Sequence, residues 1–301
     1  MNISVNIGNS VFPNPVTVAS GTFGHSDEHY GAKEVRCLGA VVPKTVTLSA
    51  QQGNPPRRIC ETPAGMINAI GIENAGIDAF IAGKLPKLKK IGVPLIISIS
   101  AHNEDEFVLM TEKLNAAGGL AAVELNLSCP NLQKKVLVAQ DADATASVVR
   151  RVKAVAKYPV IAKLSPNVTD IGAIALAAEG AGADGLSMVN TFAAMAIDVR
   201  TRRSKIGNFT GGLSGPAIRP IAVRMVCETA AKVKIPIIGM GGVTCADDAL
   251  EFLIVGATMV AVGTYNFVNP RAPLDVLEGI KAYMKKNKMT DIRELIGSIQ
   301  R

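Results

Sequence analysis

Residues 121–128 read Ala-Ala-Val-Glu-Leu-Asn-Leu-Ser and are followed by Cys129, Pro130 and Asn131. The two-residue period of a strand sends Val123, Leu125 and Leu127 to one face and Glu124, Asn126 and Ser128 to the other. A strand buried on both faces is normally apolar throughout. This one turns polar towards its end, and Pro130 biases the preceding Cys129 towards an extended backbone. The stretch therefore predicts a buried strand that delivers amides, a carboxyl group and a thiol to the mouth of a cavity.

Outward from it, short β-rich runs recur at 16–20, 40–47, 94–100, 121–128, 159–165, 185–191, 236–242 and 259–264. Ala- and Leu-rich helical stretches separate most of them, near 76–90, 104–117, 141–157, 168–181, 216–232, 245–255 and 271–286. Eight strands alternating with helices predict an α/β fold, a (β/α)8 TIM barrel. Residues 3–12 alternate around Gly8-Asn9-Ser10 and predict a short N-terminal β-hairpin. A doubly wound sheet is the alternative, but the nucleotide fingerprint G-x-G-x-x-G is not completed after Gly242, because Thr244 stands at its third glycine. Barrels of this length are commonly one domain, so residues 1–301 are expected to form a single unit.

Composition narrows the partners. The chain is 48% hydrophobic, has no Trp, and spreads its formal charge of +7 over scattered Lys and Arg residues. That pattern suits solvated helix faces better than a stacking surface for nucleic acid. Cys37, Cys60, Cys129, Cys227 and Cys245 form no CxxC pair, which indicates neither a disulfide framework nor a metal cluster. With no signal-like leader and no apolar segment of spanning length, a reduced, cytoplasmic chain without membrane attachment is expected.

In a barrel the reactive groups come from the C-terminal strand ends and the loops beyond them. Here Ser20, Lys44, Ser98, Asn126, Lys163 and Asn190 all fall near such ends. Two buried lysines are expensive unless something pairs with them, so an anionic ligand is expected at that end of the lumen. Gly241-Gly242 and Gly263-Thr264 end the seventh and eighth runs, where backbone N–H groups often hold phosphate, and Gly211-Gly-Leu-Ser-Gly215-Pro216 offers another close approach. The long connections 48–75 and 192–214 are expected to cover the C-terminal face, with 131–140 as a further flap. His25, His29 and His102 read as surface or loop residues.

At these residues the chain resembles a known family, the class 1 dihydroorotate dehydrogenases. The resemblance runs along essentially the whole length, through Ala19-Ser-Gly-Thr-Phe-Gly24, Pro43-Lys-Thr45, Asn68-Ala-Ile-Gly71, Glu124–Asn131, Lys163-Leu-Ser-Pro-Asn167, Val189-Asn-Thr191, Gly211–Pro216, Gly239-Met-Gly-Gly242 and Val262-Gly-Thr264. The forms at 68–71, 211–216 and 239–242 are most like class 1B, whose catalytic subunit pairs with an iron–sulfur flavoprotein and passes electrons to NAD. Ser98-Ile-Ser100 is closer to class 1A, which reduces fumarate, so fumarate stands as the alternative acceptor.

The resemblance implies one FMN per chain. Gly215, Gly241, Gly242, Gly263 and Thr264 would hold its phosphate and ribityl region, and Ser20, Thr45, Ser98 and Val189 its ring. Asn126 would also contact it, Lys163 would lie near the N1/O2 edge, and Lys44 would touch both flavin and substrate. Asn68, Asn126, Asn131, Asn190 and Thr191 would bind the pyrimidine ring, with the backbone of Ala69, Ile70, Gly71 and Ile72 near its carboxylate. Oxidation of dihydroorotate to orotate, a step of pyrimidine biosynthesis, removes a proton from C5 and a hydride from C6. Cys129 would take the proton and flavin N5 the hydride. FAD and a [2Fe-2S] cluster would belong to a partner subunit, in a heterotetramer around a homodimeric core. Two other readings of the residues stay open: a Schiff-base lyase using Lys44 or Lys163, and a flavin- or pyrimidine-binding protein without catalysis.

Overall fold

A computed structural model describes residues 1–24, 32–127, 130–131 and 136–300. Its centre is a parallel sheet in which the first barrel strand (Val16–Val18) lies beside the eighth (Met259–Val262). Then follow in turn the seventh (Ile237–Met240), sixth (Gly185–Met188), fifth (Val160–Lys163), fourth (Ala122–Asn126) and third (Ile96–Ile99). The expected second strand, 40–47, closes the gap but is not a regular strand. Only Val41 and Val46 bridge to the third strand, through Leu95 and Ile99. Pro43, with no N–H to donate, sits between them and breaks the ladder. On its other side Gly39 N donates to Val16 O at 2.8 Å and Thr17 Oγ1 to Ala40 O at 3.0 Å, which completes the barrel.

The predicted helices form close to their expected limits, including Glu104–Ala117, Ala142–Val155, Ile171–Gly180 and Ala272–Lys286. Their starts follow from sequence: Asn103, Asp141 and Asp170 each accept a backbone N–H of the first turn. Apolar side chains from these helices and the outward strand faces make the core. Val123, Leu125 and Leu127 are fully buried in it, each such side chain contributing roughly 1.5–3 kcal/mol.

The N-terminal hairpin (Val5–Ile7 with Ser10–Phe12) forms as expected and plugs the N-terminal end of the barrel. Gly8 takes φ +55° at its turn, a conformation that favours glycine, and Ser10 Oγ donates to Ala121 O at 2.6 Å. At the opposite end the two long connections do more than cover the face. Ile59–Thr62 and Gly65–Asn68 from the first pair with Gly211–Ser214 and Phe192–Ala194 from the second, in one antiparallel sheet. Of the segment 131–140, Pro130–Asn131 pairs with Val136–Leu137 and residues 138–140 make a 3-10 turn, while 132–135 lie outside the described residues.

Candidate active site

The four-stranded sheet and the C-terminal strand ends enclose a cavity of about 360 Å³, a size typical of ligand sites. Its wall contains Ser20, Lys44, Thr45, Asn126, Lys163, Val189, Asn190 and Thr191 from the barrel, and Asn68, Ile70, Gly71 and Ile72 from the first connection. Gly215, Gly241, Gly242, Gly263 and Thr264 line it as well. Sequence positions spread over nearly the whole chain thus converge on one place. Ser98 and Ala69 stand one layer back. Ser98 is 1% exposed and reaches the wall through a hydroxyl chain, Ser20 Oγ to Thr45 Oγ1 at 2.6 Å and Thr45 Oγ1 to Ser98 Oγ at 3.0 Å. Cys129, His25 and His29 lie outside the described residues, as does the side chain of Asn131.

Two cations face this space. Lys163 Nζ lies 3.7 Å from Glu124 Oε1. Burial pushes Lys44 below the ordinary lysine value, the charge of Lys163 pushes it further, and Glu73 opposes both. The site is therefore suited to an anion, as the two lysines suggest from sequence.

The polar wall is held in place from behind. Asn190 Nδ2 donates to Asn126 Oδ1 at 3.4 Å, and Asn190 Oδ1 accepts from Thr191 N at 2.8 Å. Asn167 fixes the same turn by donating to Thr191 O at 3.0 Å and accepting from Ala193 N at 2.8 Å. Asn68 Nδ2 donates to Gly212 O at 3.2 Å, tying together the two connections. The segment 69–72 is braced by Asn54, whose N–H donates to Ile70 O at 3.0 Å and whose side chain donates to Ala69 O at 3.1 Å. Gly71 allows that approach: it takes φ +76°, and a Cβ there would lie 2.6 Å from Asn54 N.

On the glycine side, the turn Pro216–Ile218 and the helix Arg219–Ala230 begin without a side-chain cap. Thr264 Oγ1 donates to Ser214 Oγ at 2.7 Å. Below Gly242, Asp248 accepts from Thr244 N at 2.8 Å and Oγ1 at 2.6 Å and pairs with Arg219. Burial raises the Asp248 pKa, but the Thr244 hydrogen bonds and the Arg219 charge outweigh it and hold the carboxyl below its usual range.

Sequence reading missed several wall residues. Met66, Ile218, Met240 and Phe267 are apolar and look like core or loop in a sequence. Ser214, lying inside the quoted Gly-Gly-Leu-Ser-Gly-Pro run, was findable. Strand alternation gives the direction of Glu124, but its pairing with Lys163 needs the barrel register.

A model of the dihydroorotate dehydrogenase family matches residues 2–284. A protein of Desulforudis audaxviator named dihydroorotate dehydrogenase B (NAD(+)), catalytic subunit, is 49% identical over 299 residues, covering 99% of this chain and 97% of the relative. Proteins of the same name from Desulforamulus reducens and Thermoanaerobacter sp. (strain X514) are each 47% identical. They cover 99% and 100% of this chain, and 98% and 99% of their own lengths.

Proposed function

The chain belongs to the dihydroorotate dehydrogenase family, and from that premise we propose that it is the catalytic subunit of an NAD-linked enzyme that oxidises dihydroorotate to orotate in pyrimidine biosynthesis. The observation that carries the reading is the convergence of both lysines, the amides and the glycine turns on one cavity. The residues also fit FMN. Gly215, Gly241, Gly242 and Gly263 bring backbone rather than side chains to one end of the cavity, beside an uncapped helix start suited to phosphate. The hydroxyl chain and the two lysines stand on other parts of the wall. When bound there, FMN supplies the acceptor for the hydride that leaves C6.

The chain's own residues do the rest. Lys44 and the backbone of 69–72 neutralise and orient the substrate carboxylate, while Asn68, Asn126, Asn131, Asn190 and Thr191 hydrogen-bond the ring. Cys129 holds and removes the C5 proton. Among the described residues no helix is long and apolar enough to cross a membrane. We place the enzyme in the cytoplasm, as one domain in a homodimeric core flanked by an electron-transfer subunit carrying FAD and a [2Fe-2S] cluster.

A purified chain that takes up one FMN, with a visible spectrum that shifts when orotate is added, would support this reading; failure to bind FMN would overturn it. Gly71→Ala must force a side chain against Asn54 from an unfavourable backbone, a strain of about 1–3 kcal/mol. It is expected to raise KM for dihydroorotate about tenfold with FMN retained, as steady-state kinetics would register. Orotate affinity should also depend on pH. An anion needs Lys44 charged, and its proton is lost at a pH below the ordinary 10.5. The orotate dissociation constant is therefore expected to climb as pH rises towards that value, which titrations from neutral to alkaline pH would measure.

A further inference from the structure

We propose that Glu124, gripped by Ser187, is a positioning residue that supplies the counter-charge of Lys163 and directs it into the cavity at the ring of the bound flavin, an inference that rests on the flavin reading above. The three residues come from neighbouring strands. Lys163 on the fifth strand is in register with Asn126 of the fourth and Ser187 of the sixth, and Glu124 pairs with Ile161, one layer nearer the N-terminal end. Ser187 Oγ donates to Glu124 Oε2 at 2.6 Å. The other carboxylate oxygen, Oε1, has no hydrogen-bond partner among the described residues and lies 3.7 Å from Lys163 Nζ.

All three are buried: Glu124 is 1% exposed, Ser187 0% and Lys163 5%. Most barrels fill such a lumen layer with Val, Ile and Leu, and a buried ion pair is often no more stabilising than an apolar replacement. The pair is also directional, because Lys163 reaches the cavity wall whereas Glu124 and Ser187 do not. Lys44 adds a reason. It lies close enough to Lys163 for the like charges to oppose one another, and the carboxylate behind Lys163 offsets that repulsion. Ser187 fixes one carboxylate oxygen and leaves the other for the lysine.

The test is trace acetylation of the full chain by acetic anhydride at fixed mildly alkaline pH, because only the neutral amine reacts. Peptide mass spectrometry reads Lys163 against the exposed Lys281, with and without FMN. In Glu124→Gln, Lys163 is expected to react about tenfold faster relative to Lys281. In Ser187→Ala, which leaves both charges in place, the acceleration should be about two- to fourfold. Should Glu124→Gln fail to fold, Ser187→Ala carries the test. A purely structural pair would lower the melting temperature of both variants and leave the Lys163 ratio unchanged, and an unchanged ratio overturns the proposal. FMN separates this inference from the reading beneath it. Protection of Lys163 by FMN with no acceleration in either variant would sink the role of Glu124. Acceleration without protection would keep Glu124 as the counter-charge of Lys163 and remove the flavin from that lysine.

Discussion

Replacing Cys129 with Ala is expected to leave FMN bound and to slow its reduction by dihydroorotate roughly a hundred- to ten-thousand-fold, the usual worth of a positioned general base. The expectation rests on its sequence position, three residues after the end of a strand (Ala122–Asn126) whose last residue lines the cavity. A free thiol ionises near ~8.5, so the unsubstituted enzyme should gain rate as pH rises from neutral, and the variant should lose that rise. Rapid-mixing measurements of flavin bleaching across pH would record both effects. Near-normal reduction in Cys129→Ala would take the thiol out of the mechanism. A binding protein without catalysis would instead leave the flavin oxidised in the unsubstituted chain as well.

The second large effect is expected at Lys44. Lys44→Met keeps most of the length of the side chain and removes the ammonium, whose pKa is pushed below the ordinary lysine value by burial and by the charge of Lys163. A hydrogen bond to a charged group contributes about 1.5–3 kcal/mol, which corresponds to roughly a ten- to 150-fold weaker binding of dihydroorotate and orotate. FMN should remain bound, since the glycine turns at 215, 241, 242 and 263 are untouched. Isothermal titration with orotate would measure the loss. An unaltered orotate affinity would place the substrate carboxylate elsewhere. Removal of Lys44 also ends its repulsion of Lys163, so the effect on flavin-related properties should be small or favourable.

Much of this architecture can be read from residue patterns. Strand periodicity locates the barrel because parallel strands buried on both faces give short apolar runs, and Asn103, Asp141 and Asp170 mark where three of the helices start. Polar residues at the strand ends stand out because burial there is costly without a ligand or partner. What the pattern hides is non-local. Pairing of Gly65–Asn68 with Gly211–Ser214 joins segments almost 150 positions apart, and neither segment's composition names the other. The second strand misled in a different way. Its Val and Thr content reads as β-rich, but Pro43 leaves only two bridges. Ser98 faces the site, yet Thr45 stands between it and the cavity, a depth relation that alternation along one strand cannot supply. Met66 and Phe267 carry no polar mark at all, so only their position makes them part of the wall.

The central claim is that this chain itself takes two electrons from dihydroorotate. Anaerobic titration of the FMN-loaded chain with dihydroorotate, followed through the visible absorption of the flavin, tests it directly. Stoichiometric bleaching, with recolouring by NAD only when the electron-transfer subunit is added, is the predicted result. A flavin that stays oxidised in excess dihydroorotate would contradict it.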